Sequence, residues 1–230
     1  MSFEWIMIPY SLLTLFIVIN YGLLLTALMQ KIGARVGRRH GIPIWQNYID
    51  LLKNYSIRSS ITHGVMFYLG PVFRLTGGVG LLLFVPTIFG SEMFSNLSFA
   101  GDLILALYFI FFGSLGMALG AGESGHPHSA IGVSRGLSQV TTSELPFALA
   151  VFAVALQYQT LSVNDIVAAQ QGGVMNWTLF TNPLAVAAAM LSFLGSMMRP
   201  PFDVVLAPQE IPIGPPTEYH SSYLALMQTN

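Results

Sequence analysis

The sequence predicts an all-α protein that crosses a lipid bilayer about five times, and three observations carry that reading. Of 230 residues, 53% are hydrophobic and 8% charged, against roughly 25% charged in an ordinary soluble protein. Five stretches come near the ~20 apolar residues that a spanning helix needs: 5–29, 64–89, 103–121, 140–157 and 183–198. The basic residues outside those stretches fall only in alternate loops.

The first stretch, 5–29, is nearly free of charge. It is too long for a signal-peptide core and has no basic region before it, so it reads as a retained span. Residues 31–58 follow with Lys31, Arg35, Arg38, Arg39, Lys53 and Arg58, most of the 9 Lys and Arg in the chain. Gly41-Ile42-Pro43 breaks the chain there. Trp45, Tyr48, Ile49 and Leu52 then recur at helical spacing, with Gln46, Asp50 and Lys53 on another face. That pattern predicts an amphipathic helix over 44–58, lying on or tucked under the membrane surface.

The second span contains Arg74, just after Gly70-Pro71-Val72-Phe73. The third follows Gly101-Asp102, and the loop after it, 120–139, has only an interrupted apolar face. The fourth, 140–157, is short and opens around Glu144. Residues 163–169 are moderately apolar but carry Asp165, so they read as an amphipathic piece outside the bilayer core. After the fifth span comes a Pro-rich loop, 199–217. Tyr223 to Met227 then look like the opening of another span, in a chain that stops at Asn230.

Charge placement gives an orientation. Six basic residues sit in the first loop, Arg135 in the third, and Arg199 opens the fifth; the second and fourth loops have none. Positive charge is retained on the cytoplasmic face, so the N-terminus is expected outside and the odd loops inside.

Other function classes drop out early. A net charge of -1 offers nothing to nucleic acid. With 0 cysteines the chain cannot hold an Fe–S cluster, a thiolate metal site or a disulfide of its own. His126 and His128 flank Pro127 without a third ligand in view, which argues against a metal site. No Walker motif, nucleophile elbow or dinucleotide fingerprint occurs.

Ionisable groups at membrane depth are costly, so each one asks for a function. Arg74 either serves one, or it snorkels or pairs with a neighbour. Glu144 is either a relay group or a first-turn residue of a helix capped by Thr142 or Ser143. Asp203, Glu210 and Glu218 share a loop with Arg199 that is too apolar for an ordinary connector. Carboxylates leading into a membrane domain suit proton relay, provided burial lifts their pKa toward neutrality.

These segments also carry a resemblance. Residues 37–53, GRRHGIPIWQNYIDLLK, are similar to the segment after the first span of the membrane subunit shared by respiratory complex I and the energy-converting group 4 nickel–iron hydrogenases. Residues 101–136, SELPFALAV at 143–151, RPPFDVVLAPQEI at 199–211 and GPPTEYHSS at 214–222 resemble that family's third span, fourth span and long cytoplasmic loop. The short spacing from Pro43 to Gln46 resembles the hydrogenase and sulfur-reductase branch. Ile42 and Asn47 depart from the family pattern.

The resemblance implies a heel subunit that joins a hydrophilic electron-transfer arm to antiporter-like proton or sodium pumps. By position, Glu144, Asp203, Glu210 and Glu218 would form the carboxylate path. Arg35, Arg38, Gln46, Asp50, Lys53, Arg135 and Arg199 would organise the junction with the arm. The nickel–iron centre and Fe–S clusters would lie on hydrophilic partner subunits, with no cofactor in this chain and no catalytic residue. The place implied is the prokaryotic cytoplasmic membrane, with further spans of the family missing after Asn230. The alternatives are a quinone-site subunit of an NADH or ferredoxin:quinone oxidoreductase, and an independent ion transporter.

Overall fold

The computed structural model describes residues 7–59, 63–88, 94, 96–97, 100–198, 201–205 and 214–228. Every regular element among them is a helix. Four of these are long and apolar enough to cross a membrane, and a fifth apolar helix is shorter.

Helix α1, Met7–Val36, is a single run of 30 residues. Its polar side chains are satisfied within the helix: Ser11 donates to the Met7 carbonyl at 2.8 Å and Thr14 to the Tyr10 carbonyl at 2.9 Å. Such back-bonding lets hydroxyls sit at membrane depth. The helix continues beyond residue 29, because Lys31 and Arg35 are good helix formers and their charge suits a C-terminal end. It stops where Arg38 turns left-handed (φ 55°) and the Arg39 amide bonds the Ala34 carbonyl at 2.7 Å.

Helix α2, Gln46–Ser56, is the expected amphipathic element, with three faces rather than two. Trp45, Ile49 and Leu52 point outward and are exposed. Toward α1, Asn47 donates to the Leu23 carbonyl at 3.1 Å and the Tyr48 hydroxyl to the Asn20 carbonyl at 3.2 Å. The departure at Asn47 thus supplies a tether between the two helices.

Helices α3, Val65–Phe84, and α4, Asp102–Gly122, form the tightest pair in the fold. Glycines let their backbones touch. A Cβ at Gly70 would lie 2.6 Å from Gly120 Cα, and one at Gly116 would lie 2.7 Å from the Arg74 amide nitrogen. Helix α3 ends at Phe84 instead of reaching residue 89, because Val85 precedes Pro86 and is extended (ψ 129°).

Helix α5, Pro127–Tyr158, has 32 residues and corrects the expected loop over 120–139. Pro127 supplies the preset φ of a first turn, and the His126 ring accepts from the His128 amide as N-cap. Gly132 and Gly136, which made the sequence look irregular, are where Pro215 and Val205 press on the helix. The expected start near residue 140 therefore falls well inside α5.

Past α5 come α6, Val163–Ala169, a 3-10 turn at Val174–Asn176, and α7, Thr178–Thr181. They lie at the opposite end of the bundle from α2. There Asp102, fully buried, accepts from the Val163 amide at 2.8 Å. Helix α8, Pro183–Ser196, packs on α5, with Gly195 against Ser143 and Phe193 near Phe147. Helix α9, Ser221–Gln228, lies against α2 and α3, and the Ser221 hydroxyl bonds the Ile57 carbonyl. The main buried cluster, Phe67, Met117, Ala121, Val205, Tyr219 and Met227, joins α3, α4, α9 and the segments before α9.

Candidate functional site

Glu123, His126, Glu218 and Tyr219 gather at the end of the bundle where α3 begins and α4 ends. Glu123 follows the last residue of α4, and its carboxylate accepts from the Phe67 amide in the first turn of α3 at 2.5 Å. An anion is favoured there by the helix dipole and by an orphan amide. Gly64 clears the space, since a side chain there would collide with the carboxylate.

Beside it, the 214–220 segment brings in two more groups. Tyr219 is buried; its ring stacks on Phe67 at 4.2 Å and its hydroxyl donates to the Phe67 carbonyl at 2.9 Å. Burial, and then the neighbouring Glu123 charge, push the Tyr219 hydroxyl pKa above the usual tyrosine range. Glu218 places Oε1 3.9 Å from His126 Nε2, and both side chains keep about a third of their surface in solvent (37% and 31%). Ser129 fastens the segment to α5, donating to the carbonyls of Ala121 (2.8 Å) and Pro215 (3.4 Å).

Asp203 is half-buried just ahead of Val205, which seats on Gly136. Its Oδ1 is sealed from solvent and has no hydrogen-bond partner among the described residues. A buried carboxylate oxygen without a hydrogen-bond partner costs free energy. Arg135, one turn beyond Gly132, is half-buried and lines a shallow cleft of about 420 Å³ with Ser134, Ser138, Gln139, Thr142 and Val204.

Glu144 sits elsewhere. It lies in the interior of α5, about 25 Å along the axis from Pro127 at 1.5 Å per residue. Neither Thr142 nor Ser143 caps a helix start, so the first-turn reading of Glu144 is corrected. Two residues on, Pro146 stands inside the helix and cannot bond the Thr142 carbonyl. Arg74 is half-buried, and one of its terminal nitrogens points at the Met117 sulfur, 2.8 Å away.

The residues read as a junction are split over two places. Arg35 and Arg38 are exposed at the end of α1, away from Arg135. Gln46 donates to Asp50 at 2.8 Å across one turn of α2, so Asp50 is held by Gln46 and not by Lys53. Gln46, Asp50 and Lys53 border a cleft of about 900 Å³ whose apolar walls come from α1 and α3. Glu210 and Arg199 lie outside the described residues. No group of three or more His, Asp or Glu is placed to hold a metal among the described residues.

Sequence reasoning missed Glu123 and Tyr219. The clue to Tyr219 was Pro71: a proline inside a helix leaves the carbonyl four residues earlier without its amide, and that carbonyl is Phe67's. Glu123 left no such clue, because its partner is an amide 56 residues away.

Comparison with known proteins agrees with this architecture. The chain is 30% identical over 206 residues to hydrogenase-4 component C of Escherichia coli (strain K12), covering 88% of this chain and 64% of that protein. It therefore spans a little under two thirds of that relative. It also superposes on a chain from the structure of the membrane-bound sulfane sulfur reductase, an archaeal respiratory membrane complex. There the TM-score is 0.85 and the identity 31%, over 97% of this chain and 73% of that one. The family model described as NADH dehydrogenase matches residues 8–230. A multi-pass helical membrane protein matched along nearly its whole length in this way belongs to the NADH dehydrogenase family of membrane subunits, on its hydrogenase and sulfur-reductase side.

Proposed function

We propose that this chain is the membrane subunit of a complex I-related, energy-converting hydrogenase-type complex. It anchors a hydrophilic electron-transfer arm and couples redox chemistry to movement of protons or sodium ions. The observation that carries this is the close superposition, over nearly the whole chain, on part of a respiratory membrane complex. Glu144, Asp203, Glu210 and Glu218 are the carboxylates of the ion path. Arg35, Arg38, Gln46, Asp50, Lys53, Arg135 and Arg199 organise the junction. In this reading the basic end faces the cytoplasm of a prokaryotic cell and the N-terminus faces out. The chain brings no cofactor; metal centres are on the arm and ion pumps on adjacent membrane subunits.

The test is purification of the tagged chain from native membranes in mild detergent. Hydrophilic metal-cluster subunits and antiporter-like membrane subunits should copurify, and reconstituted vesicles should take up ions when an acceptor is reduced. A chain that purifies alone and moves ions without electron transfer would instead be an independent transporter.

A second reading keeps its place because of the cleft beside α2. A volume of about 900 Å³ is within the range of small-molecule sites, and apolar walls with a Gln46–Asp50 rim suit a quinone head and tail. Quinone that copurifies at one per complex and is lost in Gln46→Leu would favour a quinone-site subunit.

A further inference from the structure

His126 is not used by the carboxylate path as described, yet the fold holds it firmly. Its Nδ1 accepts from the His128 amide at 3.2 Å. In the neutral ring the hydrogen therefore sits on Nε2, the atom that faces Glu218 Oε1 across 3.9 Å. A small side-chain rotation or one bridging water spans that gap. We propose that His126 loads protons from the surrounding water onto Glu218, which makes the corner between α4 and α5 the proton intake of this chain. The inference rests on the ion-translocating reading above.

The neighbours leave this pair the task. Glu123 is engaged with the Phe67 amide and Tyr219 with the Phe67 carbonyl. His220 turns its Nδ1 to the Glu218 backbone carbonyl at 3.3 Å. The His128 ring lies 5.3 Å from that of His126, tilted by 41°. His126 and Glu218 face each other across 3.9 Å, each with part of its side chain in solvent.

The step balances simply. The cap hydrogen bond opens, a hydronium ion gives its proton to Nδ1 and leaves as water, and the imidazolium gives its Nε2 proton to the Glu218 carboxylate. The products are neutral imidazole and a neutral carboxylic acid; no other bond is made or broken except the cap hydrogen bond. Exchange with solvent at the partly exposed ring then restores the starting tautomer. A histidine suits this because its two ring nitrogens let it take a proton on one side and give one from the other.

The experiment is His126→Asn in the intact complex, assayed in inside-out vesicles. Asparagine keeps an N-cap acceptor for α5 but carries no titratable proton. Acceptor reduction should stay near the wild-type rate while proton uptake falls about tenfold or more, and added imidazole should restore uptake. A purely structural histidine would give neither the loss nor the rescue. Glu218→Gln leaves the cap untouched; it should lose uptake and not respond to imidazole, and it decides the matter if His126→Asn fails to assemble. Unchanged uptake in either variant overturns the proposal, as does a loss in His126→Asn that imidazole leaves in place. If Glu144→Gln blocks uptake while His126→Asn does not, only the intake is wrong; if the wild-type complex takes up no ions, the functional reading fails with it.

Discussion

The Tyr219 hydroxyl bonds the Phe67 carbonyl at 2.9 Å, the very carbonyl that Pro71 leaves without an amide partner in α3. A residue 152 positions away thus completes a helix turn. The loop that carries Glu218 is locked to the helix pair α3 and α4 by one hydroxyl and one ring stack.

Tyr219→Phe keeps the stack and removes the hydroxyl. A buried carbonyl left unsatisfied costs about 1–3 kcal/mol, so the thermal midpoint of the purified complex should drop measurably. Tyr219→Ala loses the ring as well and should cost about 3–5 kcal/mol. Equal midpoints for Tyr219→Phe and wild type would show that water replaces the hydroxyl.

Gly120 faces that hydroxyl, and a Cβ there would collide with it while also coming 3.0 Å from Gly70 Cα. Gly120→Ala should therefore cost about 1–3 kcal/mol by overpacking. Part of the loss should vanish in the Gly120→Ala, Tyr219→Phe double variant, because the colliding oxygen is gone. Strict additivity of the two losses would contradict this placement.

The raised Tyr219 pKa, set first by burial and then by the Glu123 charge, has a signed consequence. Folding favours the neutral phenol, so its contribution is complete below the unfolded tyrosine pKa of about 10. It is lost as pH rises through the higher folded value. Stability of the wild type should fall from about pH 10 upward, and Tyr219→Phe should show a shallower fall. Denaturation midpoints measured across that alkaline range check this.

What was legible in the sequence followed from solvent and period. The apolar stretches became helices, the Trp45 to Leu52 pattern became α2, and residues 163–169 became α6. Boundaries failed where tertiary packing overrides local signals. Gly132 and Gly136 weakened the helical pattern of α5, but they are small because Val205 and Pro215 occupy the space. The individual carboxylates were legible as costly groups; their separation was not. Glu218 and Glu144 sit far apart because α5 begins at Pro127 and carries Glu144 about 25 Å along its axis. The clasp of Glu123 on α3 depends on a corner that only the fold creates.

Orientation is open to direct labelling. Ser56 at the end of α2 and Gln171 after α6 are both exposed and lie at opposite ends of the bundle. The chain has 0 native cysteines, so Ser56→Cys and Gln171→Cys report cleanly. An impermeant thiol reagent should label Gln171→Cys in intact cells and leave Ser56→Cys unlabelled until the cells are opened. Labelling of Ser56→Cys from outside would invert the assignment and place Glu218 on the outer face.

The most direct measurement is ion uptake beside acceptor reduction in the Glu144→Gln complex. Glu144 is interior to α5, so glutamine there removes no cap. The amide keeps size and hydrogen bonding but cannot carry a proton at neutral pH. The account predicts an assembled complex that reduces its acceptor at close to the wild-type rate while ion uptake per electron falls about tenfold or more. Uptake per electron equal to wild type in an assembled Glu144→Gln complex would contradict it.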